Sequence, residues 1–136
     1  MAGTQVPVEL ARIIINEQSP HQTIVLREKG GPRQLDIDIG IFEAWAIESR
    51  VKDKVTARPM THDLLANVIR ELGGELQAVV ITDLQGGTFF AELLVVQGKK
   101  EHRIDCRPSD AVALAVRLEV PVFVEEEVFR KLAVSE

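Results

Sequence analysis

The stretch Arg103–Leu118, RIDCRPSDAVALAVRL, decides how the rest of the chain is arranged. Its first residues resemble the end of a strand, and nearly every residue after Pro108 is apolar, which is typical of a buried helix. Arg107 is predicted as the N-cap, with Pro108 in the first helical position and Asp110 in the third. An acid there meets the positive end of the helix dipole and can reach back to the backbone N–H of the cap.

Two charges interrupt this apolar helix. Asp110 and Arg117 are separated by two helical turns on one face, with the small residue Ala113 between them. A buried helix with one charged stripe, entered from Asp105 and Arg107, is the most site-like feature of the sequence. We therefore expect a functional site where the strand passes into the helix.

The remaining segments predict a sheet with helices packed against it. Strands are predicted at residues 6–15, 22–28, 34–39, 76–82, 88–96, 99–105 and 121–124, and helices at residues 41–51, 61–72, 108–118 and 125–132. Strands and helices do not alternate strictly, which favours the α+β class with a mixed, largely antiparallel sheet. The whole chain, residues 1–136, is predicted to be a single compact domain with its core at about residues 6–129.

The second helix has clear boundary signals. Thr61 is predicted as its N-cap, Asp63 suits its first turn, and Gly73 suits the position just after its end. Its buried face is predicted to contain the apolar residues Leu64, Leu65, Val68, Ile69 and Leu72. The loop before it, residues 52–60, is the densest positive segment and supplies Lys52, Lys54 and Arg58.

Composition limits the possible functions. The chain is 46% hydrophobic and 27% charged, as in ordinary globular proteins, and no apolar run approaches the length of a membrane span. The net charge of −5 gives no overall attraction to nucleic acid, so a polyanion would need a local basic patch. The single cysteine, Cys106, and the lack of a signal-peptide pattern favour a reducing cytoplasm. Aromatic residues make up only 4%, which weakens a model based on base stacking.

Several segments together resemble the bifunctional nuclease domain family, formerly a domain of unknown function. The resemblance covers roughly Val6 to Phe129 and is strongest in the blocks RPMTHDL and IDCRPSDAVALA, which occur in the family's order. The other matching segments are IGIFEA from Ile39, LGG from Leu72 and TFFAEL from Thr88. The resemblance implies a compact α+β domain, often dimeric, that cleaves DNA and RNA. It supplies no established set of catalytic residues.

Phosphodiester hydrolysis needs an activated water, positive charge on the phosphate oxygens and help for the leaving oxygen. We predict a site built from Asp105, Arg107, Ser109 and Asp110, faced by a second group of residues. That group consists of His62, Asp63 and Glu43. The catalytic candidates are Asp105, Asp110, His62 and Glu43, and the candidates for substrate binding are Arg107, Ser109, Arg58 and Arg117.

A divalent cation, Mg²⁺ or Mn²⁺, could assist this chemistry if carboxylates cluster around it. Asp105, Asp110 and Asp63 are the candidate metal ligands. No zinc motif, Walker loop or dinucleotide-binding turn is present in the sequence. The predicted activity is thus metal-assisted cleavage of DNA and RNA with little sequence preference.

Each candidate also has a purely structural interpretation. Asp110 can be a helix-capping acid, Arg107 and Asp105 can form an ion pair, and His62 can be a solvated polar residue. The alternative function is a non-catalytic, oligomeric regulatory module that binds a ligand or a protein partner. A homodimer is expected in either case, because a small domain rich in strands must protect its sheet edges.

Overall fold

The computed structural model describes residues 4–54 and 56–135. In this part of the chain, seven strands and four helices form one compact α+β domain, which confirms the predicted class. The strands are β1 (Gln5–Ile14), β2 (Gln22–Glu28), β3 (Gln34–Ile39), β4 (Gly74–Gln85), β5 (Thr88–Gln97), β6 (Lys100–Cys106) and β7 (Val122–Glu125). The helices are α1 (Ile41–Val51), α2 (Thr61–Glu71), α3 (Pro108–Leu118) and α4 (Glu126–Ser135).

All seven strands join one sheet in the order β3-β2-β1-β7-β4-β5-β6. Of its six strand pairs, β4–β7 is parallel and the other five are antiparallel. The sheet is therefore mixed and largely antiparallel, as predicted. β4 is longer than the prediction because the turn to β5 is only two residues, Gly86 and Gly87, which both adopt positive φ.

Alternation along the strands gives the sheet two different faces. In β3, Leu35, Ile37 and Ile39 are buried, whereas Asp36 and Asp38 are exposed on the other side, as the sequence predicts. The helices contribute to the core on the first face, which we call the helix face. Their buried contributions to the core cluster include Ala44 and Ile47 of α1, Ala66 of α2, Val112 and Leu114 of α3, and Val128 and Phe129 of α4.

The helix α3 lies at the centre of the helix layer. Its N-cap is Arg107, Pro108 follows in the first turn, and Ala111 to Ala115 are all buried, as predicted. One detail of the prediction is wrong: the Asp110 carboxylate accepts hydrogen bonds from the side chains of Arg107 and His62, and the N-cap receives no side-chain hydrogen bond. Asp110 is therefore held by the side chain of its own N-cap residue, Arg107, and by His62 of α2, and it does not cap its helix.

The orientation of α2 differs from the prediction. Its N-cap is Met60 rather than Thr61, and four residues of the predicted buried face are exposed: Leu64, Leu65, Val68 and Leu72. The face turned inward carries Ile69, as predicted, together with His62, Asp63 and Ala66. The reason is polar: His62 and Asp63 bond to α3, so the helix is rotated away from the position that its apolar residues alone would favour.

No helix in the described part of the chain is long and apolar enough to cross a membrane.

Candidate functional site

A cleft of about 720 Å³ opens on the outer side of the helix layer, between α1, α2, α3 and the loop before α2. The charged stripe of α3 forms part of its wall, since Asp110, Ala113 and Arg117 all line it. The charged stripe of α3, from which the sequence predicted a site, thus lies in the wall of a cleft. The other charged and titratable residues of the lining are Glu43, Arg50, Lys54, His62, Asp63 and Arg107.

Asp110 is the centre of a hydrogen-bond network in this cleft. Its Oδ1 lies 3.0 Å from Nε2 of His62 and 3.0 Å from Nη2 of Arg107. Its Oδ2 lies 2.9 Å from Nε of Arg107, so the guanidinium group donates to both carboxylate oxygens. The bidentate pair fixes the carboxylate, and the carboxylate in turn fixes the imidazole ring.

This network determines which nitrogen of His62 carries hydrogen. Partial burial by itself would raise the pKa of Asp110, but the hydrogen bonds from Arg107 and His62 outweigh it and lower that pKa below its ordinary value. Asp110 is therefore ionised at neutral pH and can only accept hydrogen bonds. Nε2 of His62 must be the donor, and in the neutral ring Nδ1 is then the basic nitrogen.

Arg107 links the network to α1. Its Nη1 lies 3.2 Å from Oε1 of Glu43, and the hydrogen bond to Asp110 raises the pKa of the guanidinium group. A guanidinium group has five N–H donors, and these contacts use three of them. The Arg107 side chain is largely exposed, so its remaining donors are available to a ligand in the cleft.

A second ion pair ties α2 to α3. Nε of Arg117 lies 2.6 Å from Oδ1 of Asp63, and Oδ2 of the same carboxylate accepts the backbone N–H of Met60 at 3.0 Å. Asp63 therefore caps the start of α2 and also positions Arg117 in the cleft wall. This pair and the His62–Asp110 pair hold the two helices in the observed rotation.

The cleft is locally more positive than the molecule. Four cationic side chains line it (Arg50, Lys54, Arg107 and Arg117) against three carboxylates (Glu43, Asp63 and Asp110). The whole chain has a net charge of −5. Four cations and three carboxylates leave the lining with a net charge of about +1, so this cleft is less unfavourable to a phosphate than the acidic chain as a whole.

Two residues expected in the site are not in the cleft. Asp105 lies opposite Glu92 in the β5–β6 pair. It is one residue before Cys106, which pairs with the buried Ala91, so its side chain is exposed on the sheet face away from the helices. The expectation that Asp105 joins Asp110 is wrong because strand alternation separates them. Ser109 is buried at the start of α3 and does not line the cleft.

The other expected residues divide in the same way. Glu43, His62, Asp63, Asp110, Arg107 and Arg117 all lie in the cleft. Arg58 belongs to the adjoining loop, where its carbonyl oxygen accepts the Thr56 hydroxyl, but its side chain is not part of the lining. The expected Arg107–Asp105 ion pair is replaced by the pairs of Arg107 with Asp110 and Glu43.

Burial raises the pKa of Cys106 to about 12, so its thiol stays protonated, as suits a packed residue.

Arg50 and Phe42 are cleft residues that the sequence interpretation did not assign to the site. For Arg50 a signal was present, because it shares one helical stripe with Glu43 and Ile47. For Phe42 the helical pattern gave no indication whether its stripe faces the core or the cleft.

The expected metal ligands do not come together. Asp105 is on the other sheet face, and Asp110 and Asp63 each have both oxygens in hydrogen bonds to side chains or backbone. Among residues 4–54 and 56–135, no group of three or more His, Cys, Asp or Glu side chains is placed to hold an ion. The described side chains therefore do not fit a three-ligand metal centre.

Sequence comparison assigns the chain to a family. The family model of the bifunctional nuclease domain matches residues 24–136, which include the whole cleft. The chain belongs to the bifunctional nuclease domain family. The His62–Asp110–Arg107 network therefore lies within the part of the chain that matches the bifunctional nuclease domain.

Proteins similar to this chain occur in bacteria and plants. An uncharacterized protein of Mycobacterium tuberculosis is 41% identical over 121 residues, which cover 89% of this chain and 72% of the relative. Bifunctional nuclease 2 of Oryza sativa is 32% identical over 126 residues, 90% of this chain and 38% of the plant protein. Bifunctional nuclease 2 of Arabidopsis thaliana is 30% identical over 112 residues, 79% of this chain and 34% of the plant protein. This chain thus matches little more than a third of each plant protein.

Proposed function

We propose that this protein hydrolyses phosphodiester bonds of DNA and RNA, and that cleavage takes place in the cleft between α1, α2 and α3. The observation that carries the proposal is the His62–Asp110–Arg107 network, in which a histidine is oriented by an ionised carboxylate beside an exposed guanidinium group. Membership of the bifunctional nuclease domain family and the plant relatives named as nucleases support the same chemistry.

In the proposed reaction His62 is the general base. Because Nε2 donates to Asp110, Nδ1 can accept a proton from the attacking water. As the new P–O bond to this water forms, the P–O bond to the leaving sugar oxygen breaks, and that oxygen takes up a proton from solvent water. Asp110 is a positioning residue that holds the ring and stabilises the imidazolium that forms. The reaction class requires no covalent intermediate on the protein.

Arg107 and Arg117 are the proposed phosphate-binding residues. Each is oriented by a carboxylate, Asp110 or Asp63, yet each keeps N–H groups beyond those used in its pair. Such donors can contact the non-bridging oxygens and stabilise the charge that develops on them. Glu43 is a positioning residue for Arg107 rather than an acid or base.

Assistance by Mg²⁺ or Mn²⁺ stays a proposal made from the sequence alone. The side chains present do not form a metal centre, and no step of the mechanism above passes through an ion. Titration of the cleavage rate with a chelator and then with Mg²⁺ or Mn²⁺ tests this proposal separately from the role of His62.

A non-catalytic, phosphate-binding regulatory module is the second candidate. It is favoured by the same ion pairs, because every carboxylate that lines the cleft is bonded to an arginine or a histidine. In this alternative the arginines bind a nucleic acid or another phosphorylated ligand, and His62 has no chemical role.

The variant His62→Gln distinguishes the two candidates. Glutamine can still donate to Asp110 but cannot act as a base near neutral pH, so we expect kcat to fall about 10²- to 10⁴-fold with little change in oligonucleotide binding. Cleavage of end-labelled DNA and RNA strands measures the first quantity, and fluorescence anisotropy measures the second. Equal cleavage by wild type and variant, purified in parallel, would identify a contaminating nuclease and overturn the proposal.

A further inference from the structure

Phe42 is exposed to an unusual degree for a large aromatic residue. It is the second residue of α1 and is 75% exposed, while its helix buries Ala44 and Ile47 against the core. Trp45, one turn further on, is 42% exposed. Together they form an apolar surface on the side of α1 that faces away from the core.

The two rings form an ordered pair. Their centroids are 5.7 Å apart and their planes are inclined by 83°, which is the edge-to-face geometry that aromatic pairs favour. Because the edge of one ring meets the face of the other, Trp45 limits the orientations available to Phe42. The exposed ring is therefore partly preorganised, which lowers the entropy that a ligand must overcome to stack on it.

The position of Phe42 connects this surface to the proposed site. Phe42 lines the same cleft as His62, Arg107 and Arg117. It directly precedes Glu43, whose carboxylate is 3.2 Å from the guanidinium group of Arg107. An exposed aromatic ring and the guanidinium group proposed to bind phosphate thus line the same cleft, which could receive the base and the phosphate of one strand together.

We infer that Phe42 is a base-stacking residue and that the cleft takes single-stranded nucleic acid in preference to duplex. This inference rests on the proposed function, because it gives that cleft its substrate class. Bases in a duplex are already paired and stacked on one another, so only an unpaired base can lie on the Phe42 ring. Stacking accepts every base, which agrees with an activity of little sequence preference.

The low aromatic content of the sequence weakened a model based on base stacking. The chain has five phenylalanines, one tryptophan and no tyrosine. Composition, however, does not reveal position, and two of these six residues lie together at one end of α1 beside the cleft. A single stacking contact is enough to select an unpaired base over a paired one.

The test compares Phe42→Ala with wild type on two probes that carry the same number of phosphates. One probe is a deoxythymidine strand of about twelve nucleotides, and the other is an abasic strand of the same length. We expect Phe42→Ala to weaken binding of the thymidine strand about 10-fold and to leave binding of the abasic strand unchanged. Leu64→Ala, which removes an exposed apolar side chain of α2 outside the cleft lining, should change neither affinity.

Trp45 supplies an independent signal because it is the only tryptophan of the chain. Its fluorescence should change when the thymidine strand binds to wild type, and Phe42→Trp should restore the affinity that Phe42→Ala loses. Equal loss of affinity for both probes, or equal affinity of wild type for single strand and matching duplex, would overturn the inference. So would a Phe42→Ala variant that differs from wild type only in its oligomeric state by light scattering, since Phe42 would then contact a second copy.

These outcomes are separable from those for the proposed function. Base-dependent binding without cleavage would support the stacking residue and reject the nuclease. Cleavage that depends on His62 but not on Phe42 would support the nuclease and reject the stacking residue.

Discussion

Asp110 occupies the third position of α3, where an acidic side chain usually accepts hydrogen bonds from the start of its own helix. Its oxygens instead accept from Arg107 and His62, and partial burial removes some competition from water. The residue type and position were readable in the sequence, and His62 was expected to face this site although it is 48 residues away. Which atoms would bond was not readable, because the hydrogen bonds of Asp110 depend on how α2 packs on α3.

The lowered pKa of Asp110 predicts a specific dependence of stability on pH. Because its pKa is lower in the folded state, Asp110 stabilises the fold above its unfolded pKa of about 3.9, and this contribution is lost as the pH falls through the folded value. Urea unfolding at a series of pH values should therefore show Asp110→Asn less stable than wild type at neutral pH. The difference should shrink below about pH 4. A difference that stays constant or grows on acidification would contradict the assigned ion pairs.

At the scale of helices and strands, the sequence predicted the ends of the helices better than it predicted which face of α2 is buried. Arg107 and Pro108 at the start of α3 and Gly73 after α2 marked the ends correctly, since capping is a local property. The face of α2 was wrong because its polar residues His62 and Asp63 bond inward to α3, while Leu64 is turned outward. Periodicity assumes that apolar residues always point to the core, and this assumption fails where a helix contributes polar groups to a cleft.

Because of this rotation of α2, replacing a leucine by alanine should lower the free energy of unfolding by different amounts in α2 and α3. Leu64 is 56% exposed, so Leu64→Ala should change the free energy of unfolding by no more than about 0.5 kcal/mol. Leu114 of α3 is fully buried, so Leu114→Ala should cost about 2–5 kcal/mol through lost burial and the remaining cavity. Denaturant unfolding of both variants gives the comparison. Similar losses in the two variants would mean that Leu64 is covered in solution.

At the scale of the whole molecule, the sheet separates two sets of carboxylates. Asp110 lies in the cleft on the outer side of the helix layer, whereas Asp105, Asp36 and Asp38 lie on the sheet face away from the core. Asp105 and Asp110 therefore lie on different sides of the protein, although they are only five positions apart in the sequence. The homodimer expected from the sequence stays a prediction, and the sheet edges that such a dimer would protect are β3 and β6.

The proposed function places phosphodiester cleavage in the cleft of the helix layer, and a matched pair of substitutions separates this cleft from the far face of the sheet. The measurement is the cleavage rate of a single-stranded oligonucleotide by Asp110→Asn and by Asp105→Asn, each shown to be folded. Asp110→Asn should lower the rate at least about 10-fold, because the ring of His62 loses its oriented, ionised acceptor. Asp105→Asn should cleave at the wild-type rate, because its side chain is exposed on the other sheet face. Loss of cleavage in Asp105→Asn, with full activity in Asp110→Asn, would contradict the account.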